Sequence, residues 1–252
     1  MPTALARLDG RRAFVTGGSR GIGRGIALAF ADAGADVAIG YRRDREAALA
    51  TVAEIEARGR RGFAFAADVR DATAVDAMVK GAAQALGALD VVVANAGVAA
   101  RFEPVHEVEI GYWQRVLDTD LNGVFYTLHA ALPILRAQGS GSILTVSSIA
   151  ADACGANGGP YVAAKAAVNA LTTVIARENA ALGIRANVIA PGLVRTDIAD
   201  KLLEFHGEAM LKSIPLGRIG TPQDVGSLAV FLASDDAAWI TGEIFRIDGG
   251  AW

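Results

Sequence analysis

Seven short apolar runs recur along the chain: Ala13-Phe14-Val15, Val37-Ala38-Ile39, Phe63-Ala64-Phe65, Val91-Val92-Val93, Ile143-Leu144-Thr145-Val146, Ala186-Asn187-Val188-Ile189 and Ile244-Phe245-Arg246-Ile247. Most lack polar alternation, the pattern of strands covered on both faces in a parallel sheet. Between the first two, Ile22, Ile26, Ala29, Phe30 and Ala33 keep the spacing of a helix with one apolar face, and Gly34 follows as a stop signal. The same patterning predicts helices near 44–58, 72–86, 109–136 and 160–182, and another starting near Pro222. Strands alternating with helices imply an α/β fold built on a doubly wound parallel sheet of seven strands. No Pro-rich or Ser-rich linker, repeat or low-complexity tract interrupts the alternation, so one domain over residues 1–252 is expected. Residues 193–221, which carry a further short helical pattern, are expected to form an insertion over the carboxyl edge of the sheet, placed to act as a lid.

Composition narrows the function classes. Hydrophobic residues make up 52% of the 252 and charged residues 20%, enough apolar material for one large core. Lys plus Arg number 24 against 27 Asp plus Glu, a net charge of -3, which disfavours nucleic-acid binding. The one cysteine, Cys154, has no internal disulfide partner, and His106, His129 and His206 show no metal-ligand spacing, so no metal is expected and a reducing, cytoplasmic setting fits. No signal-peptide core opens the chain, and nowhere do about 18 uncharged apolar residues run together as a membrane span requires.

The first strand runs into Thr16-Gly17-Gly18-Ser19-Arg20-Gly21-Ile22-Gly23 and then directly into the amphipathic helix. Glycine permits a tight turn and close backbone approach to a pyrophosphate, and the free N–H groups of a helix start attract that anion. Strand, glycine turn, helix and second strand in this order point to a dinucleotide site. An NAD site places Asp or Glu at the tip of the second strand for the ribose 2'-hydroxyl. Here the tip reads Gly40-Tyr41-Arg42-Arg43, and Arg42 with Arg20 is suited to clasp a 2'-phosphate, so NADP (as NADPH) is expected, with NAD as the alternative.

Tyr161 and Lys165, four residues apart, share one helix face, and Ser148 lies just beyond the fifth strand. In open parallel sheets the crevice at the carboxyl ends of the strands holds the ligand, so the three are expected to converge there. A tyrosine titrates at about 10 unperturbed, and a neighbouring ammonium favours its phenolate. Lys165 would supply that charge, Tyr161 would exchange a proton, and Ser148 would hold the substrate oxygen while hydride passes at the adjacent carbon.

With these motifs stand Asn95-Ala96-Gly97 after the fourth strand, Tyr161-Val162-Ala163-Ala164-Lys165, Pro191-Gly192 after the sixth, and Asp248-Gly249-Gly250 near the end. Together they resemble the short-chain dehydrogenase/reductase family in its single-domain form, from about residue 8 to 250, and within it the 3-oxoacyl-acyl-carrier-protein reductases and related carbonyl reductases. The resemblance implies a Rossmann-type fold and NAD(P)-dependent oxidoreductase chemistry. It also implies adenine contacts from Asp68 and Val69, a cofactor cleft lined by Asn95, Ala96 and Gly97 and by Pro191 and Gly192, nicotinamide contacts from Val194 and Thr196, a ribose contact from Lys165, and a homotetramer.

One position departs from the family. Its pattern resembles Asn-Leu-x-Gly-Val-Phe, whereas this chain reads Asp120-Leu121-Asn122-Gly123-Val124-Phe125, which puts Asp120 at the fourth catalytic position beside Ser148, Tyr161 and Lys165. Asn122 comes two residues too late and faces elsewhere on a helix. An ionised Asp120 near Lys165 would counter the lysine's help to the phenolate, so a weakened lowering of the Tyr161 pKa is expected. The segment Ile149–Pro160 is expected to be a small, polar loop bordering the substrate, with Cys154 in its wall. The leading expectation is an NADPH-dependent ketoreductase acting on a small carbonyl, free or thioester-linked. Alternatives are an alcohol or sugar dehydrogenase on the same scaffold and a non-catalytic dinucleotide sensor.

Overall fold

The computed structural model describes residues 7–98, 101–196 and 211–252. Strands β1 (Arg12–Thr16), β2 (Asp36–Tyr41), β3 (Gly62–Ala66), β4 (Val91–Ala94), β5 (Gly141–Val146), β6 (Ile184–Pro191) and β7 (Ile244–Ile247) contain the seven apolar runs. They form one sheet in the order β3-β2-β1-β4-β5-β6-β7, and every pairing is parallel. Because side chains alternate across a strand, Val15, Ile39 and Leu144 enter one core layer and their neighbours Phe14, Ala38 and Ile143 the other.

The first layer is closed by α1 (Gly21–Asp32), α2 (Arg45–Glu56) and α8 (Pro222–Ala233), the second by α3 (Ala72–Leu86), α5 (Gly123–Gln138) and α7 (Gly159–Asn179). Helix starts carry the polar residues that satisfy free N–H groups: Asp44 accepts from Ala47, Asp71 from Thr73 and Ala74, and Thr221 with Asp224 makes a capping box on α8. Helices α1 and α8 touch through glycine: a Cβ on Gly25 would stand 2.4 Å from Pro222 Cβ. Chain order runs outward in opposite directions from the β1/β4 pair, which makes that pair the switch point above which doubly wound folds hold ligands.

Two elements differ from the sequence expectation. The single helix expected over 109–136 is α4 (Ile110–Leu117), a π-helical turn over Asp118–Asn122, and α5. The wider turn directs Asp120 inward, where its Oδ1 accepts the Val98 N–H at 2.8 Å. The loop expected over Ile149–Pro160 begins with a helical turn, α6 (Ala150–Ala153), which ends where Cys154 takes φ +48°. In the C-terminal stretch, Ile240 and Phe245 pack on the core, whereas Trp239 is 99% exposed and Trp252 57%. Of the expected lid over 193–221, residues 197–210, among them Leu202, Leu203, Phe205 and Met210, lie outside the described residues.

Candidate active site

The glycine turn is held from across the sheet. Thr16 Oγ1 accepts the N–H groups of Asn95 (2.9 Å) and Ala96 (3.1 Å), and Asn95 Nδ2 donates back to the Thr16 carbonyl at 2.9 Å. This fixes the end of β1 to the end of β4 at the switch point. Gly17 takes φ +67° and Gly21 φ +55°, both in the left-handed region that favours glycine. Gly23 has no room for a side chain: its Cβ would lie 2.3 Å from the Gly17 carbonyl oxygen and 2.4 Å from Asn95 Nδ2. No side chain caps the start of α1, in contrast to α2, α3 and α8. Its free N–H groups face the glycine turn, the kind of helix start that can receive an anion.

A cavity of about 970 Å³ opens over the carboxyl ends of the strands and runs along this turn. Of the residues expected in the site, Gly17, Ser19, Arg20, Gly21, Ile22 and Gly23 line it from the turn, and Tyr41 and Arg42 from the tip of β2. Asp68, Val69, Asn95, Ala96 and Gly97 line it after β3 and β4, Gly192, Val194 and Thr196 after β6, and Asp120, Ser148, Tyr161 and Lys165 close the remaining wall. Arg43 and Pro191 are not among the lining residues. Exposed Arg43 begins the turn into α2, where its carbonyl accepts the Arg45 N–H. Buried Pro191 ends β6 paired with Ile247, and its carbonyl accepts the Ile149 N–H at 3.1 Å.

Sequence reasoning did not single out Thr16, Ser147 or Phe102 as site residues. Thr16 and Phe102 line the cavity, and Ser147, which also lines it, donates from Oγ to the Lys165 carbonyl at 3.1 Å. A threonine closing a first strand and a serine preceding the candidate serine were visible in the sequence, but their partners are distant in it. Ala153, Gly155 and Ala156 line the cavity, whereas Cys154 between them is exposed and bonds weakly to the Ala151 carbonyl.

The ionisable groups occupy two places. At the β2 end, Asp68 pairs with Arg70 at 2.6 Å, and that bond, joined by the more distant Arg42 charge, holds its carboxyl at about 2. At the opposite wall, Lys165 is 4% exposed, donates to the Val146 carbonyl at 3.1 Å, and places Nζ 5.6 Å from the centre of the Tyr161 ring. Asp120 is fully buried, with Oδ2 3.8 Å from Lys165 Nζ. Burial pushes its carboxyl pKa up, against the opposing pull of Lys165 and the Val98 N–H. Asn122 turns aside and donates to Asp118 Oδ1 at 2.9 Å. A phenol, a nearly buried lysine and a serine hydroxyl therefore share one wall, with the uncapped glycine turn along another. Among the described residues no group of His, Cys, Asp and Glu could hold a metal ion, and no helix is long and apolar enough to cross a membrane.

Residues 17–251 match a family model described as enoyl-(acyl carrier protein) reductase. A 3-oxoacyl-[acyl-carrier-protein] reductase of Staphylococcus aureus is 43% identical over 246 residues, covering 96% of this chain and 98% of the relative. Among solved structures, a short chain dehydrogenase from Burkholderia cenocepacia in complex with NADP superposes with a TM-score of 0.91 at 38% identity, covering 97% of this chain and 99% of that one. A 7α-hydroxysteroid dehydrogenase complexed with NADH and 7-oxo glycochenodeoxycholic acid gives a TM-score of 0.93 at 33% identity, covering 97% and 95%. The chain is an oxidoreductase that belongs to the short-chain dehydrogenase/reductase family.

Proposed function

We propose that this protein is an NADPH-dependent ketoreductase that interconverts a carbonyl and a secondary alcohol. The observation that carries the reading is the placement of the Lys165 ammonium against the Tyr161 ring, in one cavity with Ser148 and the uncapped glycine turn. The relatives support it: one is named a 3-oxoacyl reductase, and another holds NADP.

The residues present fit a dinucleotide. The uncapped start of α1 and the glycines that admit no Cβ form a cradle for a pyrophosphate. Asp68 and Val69 would border the adenine, Arg20 and Arg42 would take the 2'-phosphate, and Val194 and Thr196 would meet the nicotinamide. Bound there, the cofactor supplies a hydride. The chain's own residues handle the oxygen and the proton. Ser148 orients the substrate oxygen by hydrogen bonding, and Tyr161 gives its phenolic proton to that oxygen during reduction or takes it back during oxidation. Lys165, charged and nearly buried, favours the phenolate through a medium that screens it weakly.

Alcohol oxidation with NAD is the second reading, favoured by the hydroxysteroid dehydrogenase neighbour and its NADH. We also propose a homotetramer, for which the fully exposed Trp239 and the exposed Trp252 offer apolar contact surface. The function is tested by incubating the protein with NADPH or NADH and a panel of β-ketoacyl thioesters, β-ketoesters, simple ketones and sugars, following loss of reduced-cofactor absorbance. Oxidation of NADPH on a ketone, lost in Tyr161→Phe, is the expected result. Activity with NADH alone would overturn the roles of Arg20 and Arg42, and turnover only of alcohols would favour the second reading.

A further inference from the structure

The wall behind Lys165 holds a group that the ketoreductase reading does not need. Asp120 is fully buried, and its two oxygens are treated differently: Oδ1 accepts the Val98 N–H at 2.8 Å, while Oδ2 has no hydrogen-bond partner. That free oxygen stands 3.8 Å from Lys165 Nζ, beyond hydrogen-bond reach and within reach of a small movement of a lysine side chain. The lysine has a second attraction in the Val146 carbonyl and a third in the Tyr161 ring. The carboxyl is seated by structure: the π-helical turn directs it inward, and Gly97 packs against it, where a Cβ would lie 3.4 Å from either oxygen.

Other charges nearby are spoken for. Among the described residues, α7 brings Lys165 against Asp120, with Tyr161 on the far side of the lysine, and the segment after β4 brings backbone of Gly97 and Val98. On α4, Arg115 is exposed and stacks on the Tyr112 ring, and in the π turn itself Asp118 is occupied by Asn122. Lys165 is the charge that acts on Asp120.

We infer that Asp120 is a positioning residue acting through Lys165: a proton-holding carboxyl that, once ionised, draws the ammonium towards itself and limits how readily Tyr161 gives up its proton. Burial keeps the carboxyl protonated to higher pH than usual. While it is neutral, Lys165 acts on the phenol unopposed. As pH rises the carboxyl ionises, and its negative charge then offsets the ammonium. The charges of the carboxyl and the phenol are therefore coupled through Lys165. The inference rests on the reading of Tyr161 as the proton-exchanging group.

The test is a spectrophotometric titration of tyrosinate absorbance in the full chain. Tyr161 is isolated from the four tyrosines by subtracting the curve of Tyr161→Phe. Asp120→Asn keeps an acceptor for the Val98 N–H and removes only the charge, and Asp120→Ser removes the charge with less volume. Both variants are expected to ionise Tyr161 about one pH unit lower than wild type, the size expected for loss of one nearby like charge. The pH profile of alcohol oxidation should move the same way. Coincidence of either variant with wild type, or a move to higher pH, would overturn the inference. The titration reads Asp120 whether or not a substrate is turned over, so a silent assay fails the ketoreductase reading alone and coincident titrations fail this inference alone.

Discussion

The glycine turn and the wall that carries Lys165 face each other across one cavity and are built on opposite plans. In the turn, polar atoms are engaged by uncharged partners: Thr16 serves two backbone N–H groups, Asn95 returns a bond to Thr16, and glycines bring backbone against backbone. In the wall, three ionisable side chains are crowded together, one of them with an unpartnered oxygen. The difference suits the tasks proposed for them. Binding an anion needs donors fixed in advance, for which satisfied backbone is suited. Moving a proton needs groups whose charge changes, and a fully satisfied ion pair would hold each in one state.

The largest effect should come from breaking the second plan alone. Lys165→Met keeps much of the side-chain volume and removes the amine proposed to favour the phenolate. We expect turnover to fall by about 10²–10⁴-fold, the range for lost acid–base catalysis, with the melting temperature changed far less than activity. Steady-state kinetics beside a thermal melt checks both halves. Comparable loss of fold and function would mean that the wall is a structural core and not a tunable site.

Breaking the first plan should give the reverse pattern. Gly23→Ala places a methyl 2.3 Å from the Gly17 carbonyl oxygen, and backbone cannot yield as a flexible side chain can. Such overpacking costs about 1–3 kcal/mol, and the turn that moves is the one proposed to hold the pyrophosphate. Dinucleotide affinity by fluorescence titration should weaken together with thermal stability, at every pH alike, because no titratable group is involved.

How much of this was legible from sequence depends on distance along the chain. The strands were legible because a sheet covered on both faces demands unbroken apolar runs. The convergence of Tyr161 with Lys165 was legible because four residues is one helical turn. The π turn was not: one extra residue in a turn leaves the apolar period of residues 109–136 almost unchanged, yet it splits the helix and aims Asp120 inward. The clamp of Thr16 on Asn95 joins residues 79 apart, a pairing that only the adjacency of β1 and β4 creates. Arg42 and Arg43 look alike as text, and only the fold shows that the first lines the cavity while the second begins the turn into α2.

That distinction supplies a smaller effect. Arg42→Ala should reduce the preference for NADPH over NADH by about tenfold, equivalent to about 1.4 kcal/mol, as expected for a charge-assisted contact at an exposed site. Arg43→Ala should leave the ratio nearly unchanged. Equal effects from both would mean that the preference reflects the general field of the strand tip and not one defined contact.

The smallest effect tests whether the wall carries a cost in stability that the turn does not. Burial raises the Asp120 pKa in the folded chain, whereas in the unfolded chain the group titrates at about 3.9. Between these two values the folded state retains a proton that the unfolded state has released, so stability falls as pH rises through that window and levels off above the folded value. Below about pH 4 the carboxyl is protonated in both states, and Asp120→Asn should melt close to wild type. At neutral pH the variant no longer bears a buried ionisable group and should be more stable by about 1 kcal/mol, seen as a rise of about 2–4 °C in a chain of this size. Melts of the two proteins across pH should therefore converge in acid and diverge towards neutrality, while Gly23→Ala runs parallel to wild type throughout. A variant that is less stable than wild type at neutral pH would show that the Lys165–Asp120 attraction outweighs the burial of the carboxylate, and that the wall, like the turn, is built first for stability.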